Sequence, residues 1–102
     1  MTVTKEFTVL MEDQPGALGK ACRALAKWEV NILVLQSFPI GSKIVTRFIV
    51  DNPTSARTVL FNEKLTYVEA EIVHVRITHR PGEIARVASL LGDAHIGINY
   101  AY

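Results

Sequence analysis

The chain has 102 residues, nearly half of them apolar and about a fifth charged, with a formal net charge of +1. That is enough for one domain with a real core, and too little charge of one sign to make nucleic acid or an anionic membrane a default partner. A single cysteine, Cys22, excludes an intramolecular disulfide and suits a reducing compartment.

The N-terminus, Met1-Thr2-Val3-Thr4-Lys5-Glu6, has no apolar signal core. No apolar run approaches the roughly 20 residues that a membrane-spanning helix needs. A cytoplasmic location is the expectation. Glu6 to Met11, rich in β-formers, reads as the first strand. Glu12-Asp13-Gln14-Pro15-Gly16 is a turn signal. From Gly16 to Trp28 the apolar spacing turns helical, with Leu18, Ala21, Cys22, Leu25 and Trp28 on one face.

Val30 to Phe38 is apolar and β-branched, a second strand, and Pro39-Ile40-Gly41-Ser42 reads as the turn of a hairpin leading into a third, Lys43 to Val50. Asn52 then offers a helix cap and Pro53 a first helical residue, with Ala56, Val59 and Leu60 as the apolar face. Thr66 to Thr78 is a long extended run. Residues 1–71 therefore read βαββαβ, an α+β ferredoxin-like unit with two helices on one face of a four-stranded antiparallel sheet.

Sliding the sequence by 66 residues aligns Val9–Gln36 with Val75–Tyr102 without a gap. Val9 meets Val75, Pro15 meets Pro81, Gly16 meets Gly82, Leu25 meets Leu91 and Ile32 meets Ile98. The chain thus carries a complete unit, 1–71, and the first βαβ of a second, 72–102. Thr66–Thr78 would serve both units, and its thirteen residues would reach about 43 Å. That length predicts a bend or bulge near Glu71-Ile72. The last strand, Ile96–Tyr102, would leave an edge inviting another chain, so a homo-oligomer, with strand exchange through that edge, is expected. The same feature fits a truncated longer chain.

The chemistry is expected at Asp13-Gln14-Pro15-Gly16 and His79-Arg80-Pro81-Gly82, each joining a strand to a helix start. Helix N-terminal amides lack internal partners and sit at the positive end of the dipole, so they can hold a carboxylate without a catalytic group. Arg80 could add a bidentate grip. The plain alternative is a Pro-Gly that only starts a helix.

Strand, Asp-x-Pro-Gly, amphipathic helix and a strand bearing Val30-Asn31-Ile32 resemble the ACT domain family, with a second match at His79–Ile84 and Ile96-Gly97-Ile98. The resemblance implies a ferredoxin-like fold, side-by-side pairing and binding of an amino acid or similar small carboxylate at an interface. It implies a regulatory role, with a regulated enzyme as a further partner. The family's ligand positions fall on Asp13, Gln14, Gly16, Ala17, Leu18, Asn31 and Ile32, and in the second repeat on His79, Arg80, Gly82, Glu83 and Ile84. The second repeat departs from the first, with His79 in place of Asp13 and Gly97 in place of Asn31. Glu29 and His95 stand where the family often has glycine.

No catalytic residue, cofactor or metal is expected. Cys22 lies on the helix's apolar face, and His74, His79 and His95 have no metal-ligand spacing. Trp28 reads as a core or interface anchor. Two other functions compete: self-association or docking to an enzyme without any ligand, and an acylphosphatase-like hydrolase. The hydrolase would need a basic first loop, where this chain has Glu12-Asp13.

Overall fold

The computed structural model describes residues 2–102. Its elements are β1 (Thr2–Glu12), α1 (Ala17–Lys27), β2 (Ile32–Ile40), β3 (Lys43–Val50), α2 (Pro53–Asn62), β4 (Thr66–His74) and α3 (Glu83–Asp93). The strands form one four-stranded sheet in the order β2-β3-β1-β4, the ferredoxin-like arrangement, and β3 runs antiparallel to both β1 and β2. Two compact units result: Val3–Val73, and His74–Tyr102 with Thr2.

Period-two alternation on β1 sends Phe7, Val9 and Met11 to the helix-covered face, where they meet Phe48 and Val50 of β3, Leu25 of α1 and Ala56, Val59 and Leu60 of α2. The Phe7 and Phe48 rings stack with centroids 5.6 Å apart. Thr46, the buried polar group in this layer, shares a 2.9 Å hydrogen bond with Ser37. Asn52 caps α2 as its sequence predicts, its Oδ1 accepting from the Ser55 N–H at 3.1 Å. Arg57 of α2 makes a two-pronged ion pair with Glu69 of β4 at 2.8 Å, tying that edge strand to the helix layer.

The β2–β3 turn is shorter than the sequence suggests. Pro39 and Ile40 belong to β2, paired with Ile44 and Lys43, and only Gly41-Ser42 turns. Proline is tolerated because β2 is an edge strand. Gly41 takes φ +59° at the first turn position, as a two-residue hairpin with glycine there requires. A bulge at Leu33 shifts the β2–β3 register between Ile32 and Val34.

All three helices end alike. In α1, Glu29 N–H bonds to the Ala26 carbonyl at 2.9 Å and Val30 N–H to that of Leu25 at 3.0 Å. Lys64 and Leu65 close α2 in this way, and His95 and Ile96 close α3. Each is a Schellman motif whose left-handed residue is not glycine: Glu29, Lys64 and His95 lie at φ 57–58°.

Three expectations need correction. The extended run from Thr66 ends as a strand at His74, and residues 75–78 lie outside the sheet. The segment 96–102 is likewise not a strand, so of the second repeat only α3 forms a regular element. A strand exists only through pairing, and β-propensity alone does not supply it. Trp28 is not a core anchor: it stands at the C-cap of α1 and is 54% exposed.

Candidate functional site

The first turn leaves β1 at Glu12 and enters α1 at Ala17. Three backbone bonds fix it. Asp13 N–H donates to the Ser42 carbonyl at 3.1 Å, Gln14 N–H to Glu12 at 2.9 Å, and Ala17 N–H to Gln14 at 3.1 Å. The Asp13 bond ties the turn to the β2–β3 hairpin, and Lys43 Nζ donates to the Glu12 carboxylate beside it. Gly16 sits at φ 89°, ψ −10°, a left-handed conformation in which a side chain is strained although nothing lies within 4 Å of where a Cβ would be.

No side chain caps α1. Its first intrahelical bond runs from Lys20 N–H to the Gly16 carbonyl at 2.9 Å, so the Leu18 and Gly19 N–H groups have no acceptor among the described residues. The Ala17 and Leu18 side chains pack against the core. Contact with a ligand there would be made by main chain, and Asp13 and Gln14, both exposed, would supply side chains.

The second turn repeats this backbone. Gly82 has the same φ 89° and ψ −10°, α3 has no side-chain cap, and Arg86 N–H reaches the Gly82 carbonyl at 2.9 Å. Arg80 N–H bonds to Thr78 at 2.9 Å as Gln14 does to Glu12. The side chains differ. Glu83 is buried, and its carboxylate accepts from Arg80 Nε at 2.8 Å and from Arg86 Nη2 at 3.1 Å. The Arg80 guanidinium, and then that of Arg86, hold the Glu83 carboxyl below the usual carboxylate range. Arg80, read from sequence as a free carboxylate grip, is therefore engaged by the chain's own glutamate. His79 and Ile84 are exposed.

Asn31 and Ile32 lie elsewhere. Ile32 pairs with Val50 at one end of β3, whereas the first turn adjoins Lys43 at the other. The helix α1, about 16 Å long at 1.5 Å per residue, runs between the two places. The Asn31 side chain is also committed: its Nδ2 donates to Asp51 Oδ2 at 2.7 Å, its backbone N–H donates to Oδ1 at 2.9 Å, and Asp51 N–H returns to the Asn31 carbonyl at 3.1 Å. The Asn31 side chain and then its backbone N–H lower the Asp51 pKa. Ile32 packs against the core.

Sequence reasoning missed Ser42, Asp51 and Arg86 as partners of the site. Only Arg86 left a signal, its i+3 spacing from Glu83. Cys22 lines a small void in the core with Leu18, Ala21 and Leu25, and burial pushes its thiol pKa up, away from nucleophilic chemistry. Among the described residues no group of three His, Cys, Asp or Glu side chains could hold a metal ion, and no helix is long and apolar enough to cross a membrane.

No curated protein matches the sequence. Among solved structures, protein BT0572 from Bacteroides thetaiotaomicron superposes with a TM-score of 0.91 at 25% identity, over 98% of this chain and 69% of that one. The ligand-free regulatory subunit of aspartate kinase from Thermus thermophilus matches with a TM-score of 0.69 at 18% identity, over 92% of this chain and 74% of that one. A putative glycine cleavage system transcriptional repressor matches with a TM-score of 0.61 at 14% identity, over 98% of this chain and 71% of its own. At those last two identities the likeness is one of fold. The sequence itself is more specific: residues 1–75, which hold the whole β2-β3-β1-β4 sheet and the uncapped Gly16 turn, match the family described as ACT domain pair, and to that family the chain belongs.

Proposed function

We propose that this chain is a non-catalytic regulatory module that binds an amino acid, or a similar small carboxylate, at the Asp13–Gly16 turn. The observation that carries the reading is the start of α1: Gly16 in the left-handed region, no side-chain cap, and main-chain N–H groups of Leu18 and Gly19 without an acceptor among the described residues. A ligand carboxylate would take those amides at the positive end of the helix, and the Asp13 carboxylate would take the ligand ammonium. Lys43 beside Glu12 offsets one of the two adjacent acidic charges that would oppose an anion.

The separation of Asn31 from the turn bears on assembly. A ligand touching both positions would bridge the turn of one chain and the β2 start of another, which favours a homo-oligomer. Ile84, Leu90, Ile96 and Ile98, all more than half exposed, provide apolar surface for it, and residues 96–102 could gain strand structure by pairing with a second chain. Binding would regulate only insofar as two assembly states differ in ligand affinity. An enzyme partner is part of the proposal on the strength of the fold shared with a regulatory subunit of aspartate kinase. Division into a complete unit, 1–71, and a partial one, 72–102, belongs to the same reading.

Isothermal titration with each common L-amino acid, paired with sedimentation equilibrium at saturation, tests it. Heat from at least one amino acid and a changed association constant are expected. Folded protein that gives no heat with any of them would remove sensing and leave ligand-free self-association.

A further inference from the structure

The two turns share a backbone but differ at the first residue of the helix, Ala17 in α1 and Glu83 in α3. The Glu83 side chain is only 9% exposed, whereas those of its partners Arg80 and Arg86 are 68% and 57% exposed. Its Oε1 accepts from Arg80 Nε at 2.8 Å, and its Oε2 from Arg86 Nε at 3.3 Å and Nη2 at 3.1 Å. A carboxylate in the first helical turn is also favoured by the dipole. Both guanidinium groups of this turn thus already pair with a carboxylate that the chain supplies. An incoming carboxylate would have to displace charge-assisted bonds and approach a negative group.

We propose that Glu83 is an internal competitor that closes the second Pro-Gly turn to carboxylate ligands, so that each chain takes its ligand at the Asp13–Gly16 turn alone. Occupancy of the first turn rests on the function proposed above; closure of the second does not. Removing the carboxylate while keeping Arg80 and Arg86 would leave a cationic helix start open to a small anion.

The test uses formate as the probe, at constant ionic strength balanced with chloride, on the full chain. In Glu83→Ala, which installs the residue of the first repeat, formate is expected to raise the thermal midpoint. It should also shift the Ile84 and Ala85 amide and the Arg80 and Arg86 Nε–H resonances along a saturable curve. Affinity should be roughly tenfold or more above that of the unaltered chain, the worth of one charged hydrogen bond. Glu83→Gln keeps the shape without the charge, carries the test if the alanine variant does not fold, and should fall between the two. The same formate response in all three proteins, or none in either variant, would overturn the proposal by leaving Glu83 a local ion pair without bearing on ligands. Calorimetry separates this from the function itself. Two equivalents of amino acid per unaltered chain would refute closure and leave sensing intact. No amino-acid binding alongside a formate response confined to the variants would refute sensing and leave closure intact.

Discussion

The start of α1 and the start of α3 are built on one backbone and finished with different chemistry. Gly16 and Gly82 share their dihedral angles, Glu29 and His95 share the left-handed helix end, and the hydrogen bonds that open and close the two helices correspond. Around α1 the apolar face meets a sheet: Leu25 is 2% exposed. On α3, Ile84, which corresponds to Leu18, is 75% exposed. Local sequence is therefore enough to specify helix, turn and cap twice over, while burial of the helix face, and with it most of the stability, comes from tertiary packing.

The comparison breaks most readily at the equivalent leucines. Leu25→Ala should cost about 2–5 kcal/mol, because it removes a fully buried side chain and enlarges the void beside it. Leu91→Ala, at a half-buried site, should cost clearly less, and urea unfolding of the two variants measures the gap. Equal losses would mean that α3 is packed as tightly as α1. Next come the glycines. Nothing lies within 4 Å of either missing Cβ, so the penalty is conformational, and Gly16→Ala and Gly82→Ala should each lose a similar amount. That amount is about 1–2 kcal/mol, the cost of a left-handed conformation for a residue with a side chain.

A smaller effect of opposite sign is expected at the helix ends. Glu29→Gly and His95→Gly relieve positive φ at residues that have a Cβ, and each should stabilise by up to about 1 kcal/mol after glycine's unfolded-state entropy is counted. The smallest effect concerns Asn31, whose counterpart in the second repeat is Gly97. Asp51 has its pKa lowered by Asn31, so the stability linked to that carboxylate is present above the ordinary aspartate range, near 4, and is lost as pH falls through the lowered native value. Asn31→Gly should bring the Asp51 carboxyl back up towards that range in an NMR titration. The variant should be less stable at neutral pH, and the difference should narrow in acid, losing its pH-linked part once Asp51 is protonated in both proteins.

Much of the first unit was legible because each element carries its own local code. The Asn52-Pro53 helix start, the 43–50 strand and the strand through Glu6 to Met11 are all recovered. The helix ends were not legible in full, since Glu29, Lys64 and His95 take positions that a reader of sequence assigns to glycine. Pro39 misled for a related reason: it signals a turn until the strand is known to be an edge. Of the candidate site, the turns and their glycines could be read from spacing. The withdrawal of Arg80 by Glu83 and of Asn31 by Asp51 could not, because it depends on which charges the fold brings within hydrogen-bond reach.

By itself the sequence determined two Pro-Gly helix starts, their repeat at an interval of 66 residues, and a complete βαββαβ unit, because turns, caps and hydrophobic periodicity act over a few residues. Only the tertiary structure decided that residues 75–78 and 96–102 stand outside the sheet, and that Glu83 at the second helix start pairs with Arg80 and Arg86. Strand pairing and charge compensation join groups through space, and neither leaves a periodic mark along the chain.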